Sequence, residues 1–157
     1  MRVTLVAVGR LRGGPEAELV ADYLARFDRT ARPLGLGPAR LVEVEARRGG
    51  GPAEEAVLID AALPKGAALA LLDERGAQVT SPEFAALLRR LADSGTRDVA
   101  FAIGGADGLD PSLRGRAAHV ISLGRMVWPH MLARVMLAEQ LYRAAAILAG
   151  APYHRGG

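Results

Sequence analysis

The chain has 157 residues, half of them hydrophobic and about a quarter charged, which is the size and make-up of one domain with a real core. It has no cysteine, so disulfides, thiolate nucleophiles and cysteine-held zinc are excluded. The formal net charge is +3, and arginine carries almost all of the positive charge because Lys65 is the single lysine.

The apolar, β-branched run at 2–8 predicts a first strand, and Gly9-Arg10 ends it. Arg2 and the shortness of this run do not make a signal peptide. Helical periodicity follows at 15–29. Residues 31–40, with two prolines and two glycines, read as a loop, and 41–45 as a second strand. Arg47-Arg48-Gly49-Gly50-Gly51-Pro52 is a basic, mobile loop before a helix at 53–63. The run 67–72 is nearly all apolar, as a strand buried on both faces must be. A helix at 82–94 has Pro82 in its first turn, after the N-cap candidate Ser81. A second buried strand follows at 98–103, then a helix at 111–117 opened by Asp110-Pro111. The chain closes with a strand at 119–123 and a long helix at 130–149. No apolar run approaches the roughly 20 residues of a membrane helix.

This alternation predicts an α/β fold, a mostly parallel sheet with helices on both faces, in a single domain spanning 1–157. In such sheets ligands bind beyond the carboxyl ends of strands. Three strand ends carry loop chemistry: Leu72 to Gly76, Gly104 to Gly108, and Leu123 to Trp128. The glycines let a ligand approach the backbone closely. The middle loop is neither Gly-x-Gly-x-x-Gly nor a P-loop, so the usual dinucleotide and triphosphate fingerprints are absent. By itself it reads first as a tight turn. His119, His130 and His154 lack metal-ligand spacing, and no Gly-x-Ser-x-Gly elbow is present, so no metal and no hydrolase triad are expected.

His130 opens the last helix, where the positive end of the helix dipole favours its neutral form. That helix is apolar almost all round, so it needs cover on two sides, and in a small chain the second cover is a subunit interface. Glu139 and Arg143, four residues apart, are an evident ion pair. From residue 124 onward Arg125, Arg134, Arg143 and Arg155 face one acid, Glu139, an excess suited to phosphate. The tail Tyr153-His154-Arg155 is too polar for a core, and on residues alone it reads as disordered.

Together, Gly104-Gly105-x-x-Gly108-Leu109, Pro129-His130, Arg134, Glu139-Gln140-x-Tyr142-Arg143-Ala144 and Tyr153-His154-Arg155 resemble the signature of the RlmH family. So do Val3-x-Leu5-Val6-Ala7-Val8-Gly9 and Tyr23-Leu24-x-Arg26-Phe27, and the likeness spans essentially the whole chain. These are single-domain SPOUT enzymes that methylate N3 of a pseudouridine in 23S ribosomal RNA. The resemblance implies a C-terminal trefoil knot involving loop 104–108 and the last helix, a homodimer, a cytoplasmic location and assembled ribosomes as substrate. It implies S-adenosylmethionine as methyl donor, held by Leu72, Gly104, Leu123, Gly124, Arg125, Met126, Val127 and Trp128. Relatives usually have Thr at 127 and a smaller apolar residue at 128; backbone contacts survive both changes, whereas a hydroxyl contact at 127 does not. Catalysis falls to His130 and Arg134, with Tyr153, His154 and Arg155 of one protomer completing the site of the other. Three other readings stand beside this: a SPOUT enzyme for transfer RNA, a non-catalytic RNA- or ribosome-binding module, and a nucleotide-binding oxidoreductase.

Overall fold

The computed structural model describes residues 1–156. Five strands form one sheet: β1 (Arg2–Val8), β2 (Ala39–Val44), β3 (Ala68–Gln78), β4 (Asp98–Ile103) and β5 (His119–Ser122). Their order is β2-β1-β4-β3-β5, and every neighbouring pair is parallel. The helices are α1 (Pro15–Ala31), α2 (Gly51–Ala62), α3 (Ser81–Asp93), α4 (Pro111–Arg116) and α5 (His130–Leu148).

Side-chain alternation along the strands divides the core in two. Val3, Leu5 and Ala7 of β1, with Val99, Phe101 and Ile103 of β4, meet α1, α3 and α5 on one face. Val6, Val8, Leu69, Leu71 and Ala102 meet α2 and α4 on the other. The expected two-faced α/β sheet is therefore present, and β4 is buried along its whole length. Phe101 and Phe84 pack at 5.6 Å between ring centroids, joining the central strand to α3. At the amino end of the sheet Arg2 clamps Asp98 through two bonds of 2.8 and 2.7 Å, tying β1 to β4.

Several boundaries differ from the sequence reading. Residues 73–76, read as loop, lie within β3, which shifts register against β5 between Leu72 and Ala77. Gly76 permits this, because a Cβ there would sit 2.7 Å from the backbone of Ile121. The N-cap of α3 is Thr80, not Ser81: Thr80 Oγ1 accepts from Glu83 N, and the Glu83 carboxylate accepts from Thr80 N at 2.7 Å. Ser81 instead donates to Gln140 on α5 at 2.7 Å. Residues 32–34, within the expected loop, form one 3₁₀ turn. The tail is ordered as a 3₁₀ turn over Pro152–Gly156, packed back on α5. Among the described residues no helix is long and apolar enough to cross a membrane.

Truncating the fully buried Phe101 to Ala leaves a cavity at the centre of the larger core. Equilibrium urea unfolding should show a loss of about 3–5 kcal/mol in stability.

Candidate active site

A crevice of about 830 Å³ opens beyond the carboxyl ends of the central strands. That is the size of a pocket for a small organic molecule. The kink of β3 supplies Leu72 to Arg75, the β4 loop supplies Gly104 to Leu109, and the β5 loop supplies Leu123, Gly124 and Met126 to Trp128. His130 and Ala133 at the start of α5 close one side. The three strand ends read separately in the sequence thus line one cavity. Of the eight expected donor-binding residues, seven border it; the exception is Arg125, which is exposed and turned away from the wall.

Each glycine of these loops has its own reason. Gly108 has φ +81° and Gly124 φ +118°, both in the region that side chains avoid. A Cβ on Gly104 would meet the Gly108 carbonyl at 2.9 Å. One on Gly105 would meet Glu55 Oε1 at 2.8 Å. The β5 loop is braced by Ser122, whose hydroxyl donates to the Gly124 carbonyl at 2.9 Å and accepts from Gly124 N at 3.1 Å. Beneath the crevice, Asp73 accepts from Arg75 N at 2.9 Å and pairs with Arg114. Burial alone would raise its pKa, but these hydrogen bonds and the Arg114 charge hold it below the ordinary carboxylate range.

His130 is half-buried, and its pKa is lowered, first by burial and then by the Arg134 cation, with Glu55 opposing. Its ring lies beside Gly9, where a Cβ would fall 3.6 Å from Nε2. Arg134 is 0% exposed and does not border the crevice. Its guanidinium donates to the carbonyls of Val8 and Gly9, the latter at 2.9 Å, and reaches Glu43 at 3.5 Å. Nε has no partner. Burial lowers the Arg134 pKa while Glu43 raises it. Arg134 thus holds the end of β1 and lies beside His130, without itself bordering the crevice.

The tail forms a separate cluster. Tyr153 donates to Glu139 Oε1 at 3.0 Å, and Arg143 donates to the same oxygen at 2.7 and 2.9 Å. The Glu139–Arg143 pair read from the sequence is thus present. The Tyr153 ring packs on Tyr142 at 4.5 Å and under the Arg143 guanidinium at 4.9 Å. Burial first, then Glu139, raises the Tyr153 pKa. His154 Nδ1 lies 3.4 Å from Arg143 Nη1, and Arg155 is exposed. Arg143 is 13 positions beyond His130 on α5, roughly 20 Å along the axis at 1.5 Å per residue. One protomer does not bring the tail and the crevice together.

Between them runs an apolar groove of about 470 Å³, bordered by Leu19, Tyr23, Val79, Val135, Met136 and Glu139 among others. Beside it Met126 and Val127 are 72% and 82% exposed, and Trp128, Met131 and Leu132 also face solvent. Glu43 and Glu55 were passed over in the sequence, because one carboxylate in a strand and one in an amphipathic helix carry no local sign of what they face. Asp73 was quoted only as part of its loop; an acid at the kink of a buried strand was its signal.

The comparisons agree over nearly the whole chain. A family model described as "Predicted SPOUT methyltransferase" matches residues 1–154. A protein of Cereibacter sphaeroides named "Ribosomal RNA large subunit methyltransferase H" is 68% identical over 155 residues, 99% of each chain. One of the same name from Dinoroseobacter shibae is 65% identical over the same coverage. A solved structure titled as a probable methyltransferase from Bordetella pertussis superposes with a TM-score of 0.50 at 19% identity, covering 91% of this chain and 95% of that one. At that identity it speaks to the fold alone.

The His130 ring should titrate below the ordinary histidine value, followed by NMR of its ring protons. Replacing Arg134 by Gln removes the repelling cation and should move the midpoint upward, leaving the burial effect in place.

Proposed function

The chain belongs to the SPOUT methyltransferase family, and from that premise we propose that it transfers a methyl group from S-adenosylmethionine to N3 of a pseudouridine in large-subunit ribosomal RNA, on assembled ribosomes. The observation that carries this reading is the convergence of three strand-end loops and His130 on one crevice. The full-length relatives named as large-subunit ribosomal RNA methyltransferases support the substrate class.

The crevice suits the donor. Glycines at 104, 108 and 124 let an adenine edge or an amino acid moiety approach the main chain closely, and Leu72, Leu123 and Met126 offer apolar cover. Val127 in place of Thr and the large Trp128 leave backbone contacts of that loop available. Asp107 at the rim provides negative charge toward a cationic ligand. When bound, the donor supplies an electrophilic methyl on sulfur. The protein's own tasks are alignment, exclusion of water and removal of the base proton. His130, kept unprotonated by burial and by Arg134, is placed to accept the N3 proton at a ring nitrogen. Arg155 and His154 stabilise the base as its charge develops. Tyr153, its hydroxyl already given to Glu139, anchors the tail that presents them.

That tail must come from a second copy, because α5 separates it from the crevice within one chain. A homodimer closing over the exposed Met126–Trp128 loop and the groove beside α5 supplies it, and buries the apolar surface left open. The knotted threading implied by the family and a cytoplasmic location belong to the same proposal.

Labelled S-adenosylmethionine should methylate large-subunit RNA in assembled ribosomes lacking the modification, and not naked ribosomal RNA or transfer RNA. Label in transfer RNA would overturn the substrate. No label anywhere, with no donor binding by calorimetry, would overturn the reaction. Arg155→Ala should cost on the order of a hundredfold in kcat with donor affinity intact. Mixing it with a Gly104→Leu chain should restore about a quarter of wild-type activity, because half of the reassorted dimers carry one intact composite site.

A further inference from the structure

We propose that Glu55 is a positioning residue of the methyl-transfer site: its carboxylate, seated against Gly105, sets the wall of the donor crevice and the charge behind His130. The inference rests on the donor reading above and deepens it.

Glu55 stands on the second turn of α2, on the face of the sheet opposite α5. Its Oε2 accepts from Gly105 N at 3.4 Å. The contact explains the glycine. Gly105 does not need left-handed backbone freedom, unlike Gly108. A side chain at 105 is excluded by what lies beside it, because a Cβ would meet Glu55 Oε1 at 2.8 Å, Oε2 at 3.2 Å and Val8 Cγ1 at 3.2 Å. The carboxylate therefore occupies the space of the missing side chain and holds the loop from behind. No arginine, lysine or histidine lies within ion-pair distance of Glu55 among the described residues, although neighbouring Glu54 pairs with Arg47. It borders a small cavity with Gly9 and Asp107, and Asp107 also lines the donor crevice.

From there its charge reaches His130. The groups that face that ring are Arg134 on α5, which opposes protonation, and Glu55 on α2, which favours it. Glu43 on β2 is taken up by Arg134, and Asp107 sits at the shared rim. Glu55 thus touches no reacting atom, and acts through Gly105 on the donor and through space on the base.

The two functions separate by substitution. Glu55→Gln keeps an oxygen acceptor for Gly105 N but removes the charge, and Glu55→Ala removes both. Donor affinity by calorimetry and the pH profile of kcat/KM on assembled ribosomes are the readouts, with thermal melting as the control for folding. Glu55→Ala should weaken S-adenosylmethionine about tenfold, and Glu55→Gln should restore affinity to within about twofold of wild type. Glu55→Gln should shift the acid limb of the profile to lower pH, because His130 loses the neighbour that favours its protonated form. Gly105→Ala should weaken the donor in the wild-type background and cost clearly less in the Glu55→Ala background, where the carboxylate is gone and Val8 Cγ1 is the remaining close neighbour. Wild-type affinity in Glu55→Ala, or costs that simply add in the double variant, would overturn the inference. A wild-type protein that binds no donor would sink the reading of the site, and this inference with it.

Discussion

The site depends on one buried cation. Arg134 is fully enclosed, and taking a guanidinium out of water costs several kcal/mol unless hydrogen bonds replace its hydration. The replacements come from one place: the carbonyls of Val8 and Gly9, left free where β1 ends, and Glu43 one strand over. The strand end needs donors and the cation needs acceptors, so each makes the burial of the other tolerable. The result is a fixed joint between the start of α5 and the carboxyl edge of the sheet. His130, one helical turn before Arg134, is thereby held at the crevice, and the same cation disfavours a second positive charge on it. Structural and chemical roles are not alternatives here. Arg134 lowers the pKa of His130, the proposed base, because it is locked in place, and its Nε has no partner among the described residues.

Around that joint the loops are shaped by space more than by flexibility. Gly76 is required by the backbone of β5, Gly104 by the Gly108 carbonyl, and Gly105 by the Glu55 carboxylate. These are places where the chain passes closer to another group than any side chain allows. A parallel sheet makes such crowding natural at its carboxyl edge, where every strand must leave at once. The crevice is what remains open once those approaches are fixed.

The fold was largely legible because apolar strands and helical segments alternate along the chain, set off by glycine and proline. Ala68–Leu72 and Val99–Ile103 are continuous apolar runs, and α1 and α3 show one clean apolar face. What could not be read are interactions between segments distant in sequence. Nothing near Arg134 says that its partners lie about 125 positions upstream. Nothing near Glu55 points to a glycine 50 positions on. The continuation of β3 past Leu72 was hidden because Asp73-Glu74-Arg75-Gly76 has loop composition, and pairing with β5 overrides it. The tail was misread on composition for the same reason, since Glu139, Tyr142 and Arg143 give its polar residues partners that local sequence does not show. Arg125, expected among the donor-binding residues, is exposed and does not border the crevice that Met126 to Trp128 line, a difference between neighbours that composition does not signal.

The exposed apolar residues and the folded tail bear on one another. A monomer that leaves Met126, Val127, Trp128, Met131 and Leu132 in water carries an apolar surface with a cost of about 25 cal/mol for each Å². The same monomer spends an ion pair, a tyrosine hydroxyl and an aromatic stack to hold a polar tail rigidly, about 20 Å along α5 from the crevice it would serve. Either feature alone has an ordinary explanation. On the proposed dimer they are complementary halves of one surface, since its symmetry would cover the loop of each copy while carrying the tail of each to the other. A rigid tail is what such an arrangement needs. A flexible one would lose conformational entropy each time the base is gripped, whereas the Glu139–Tyr153–Arg143 cluster takes that loss on folding. On that proposal, a chain of this size presents both the crevice and the arginine and histidine proposed to act on the base.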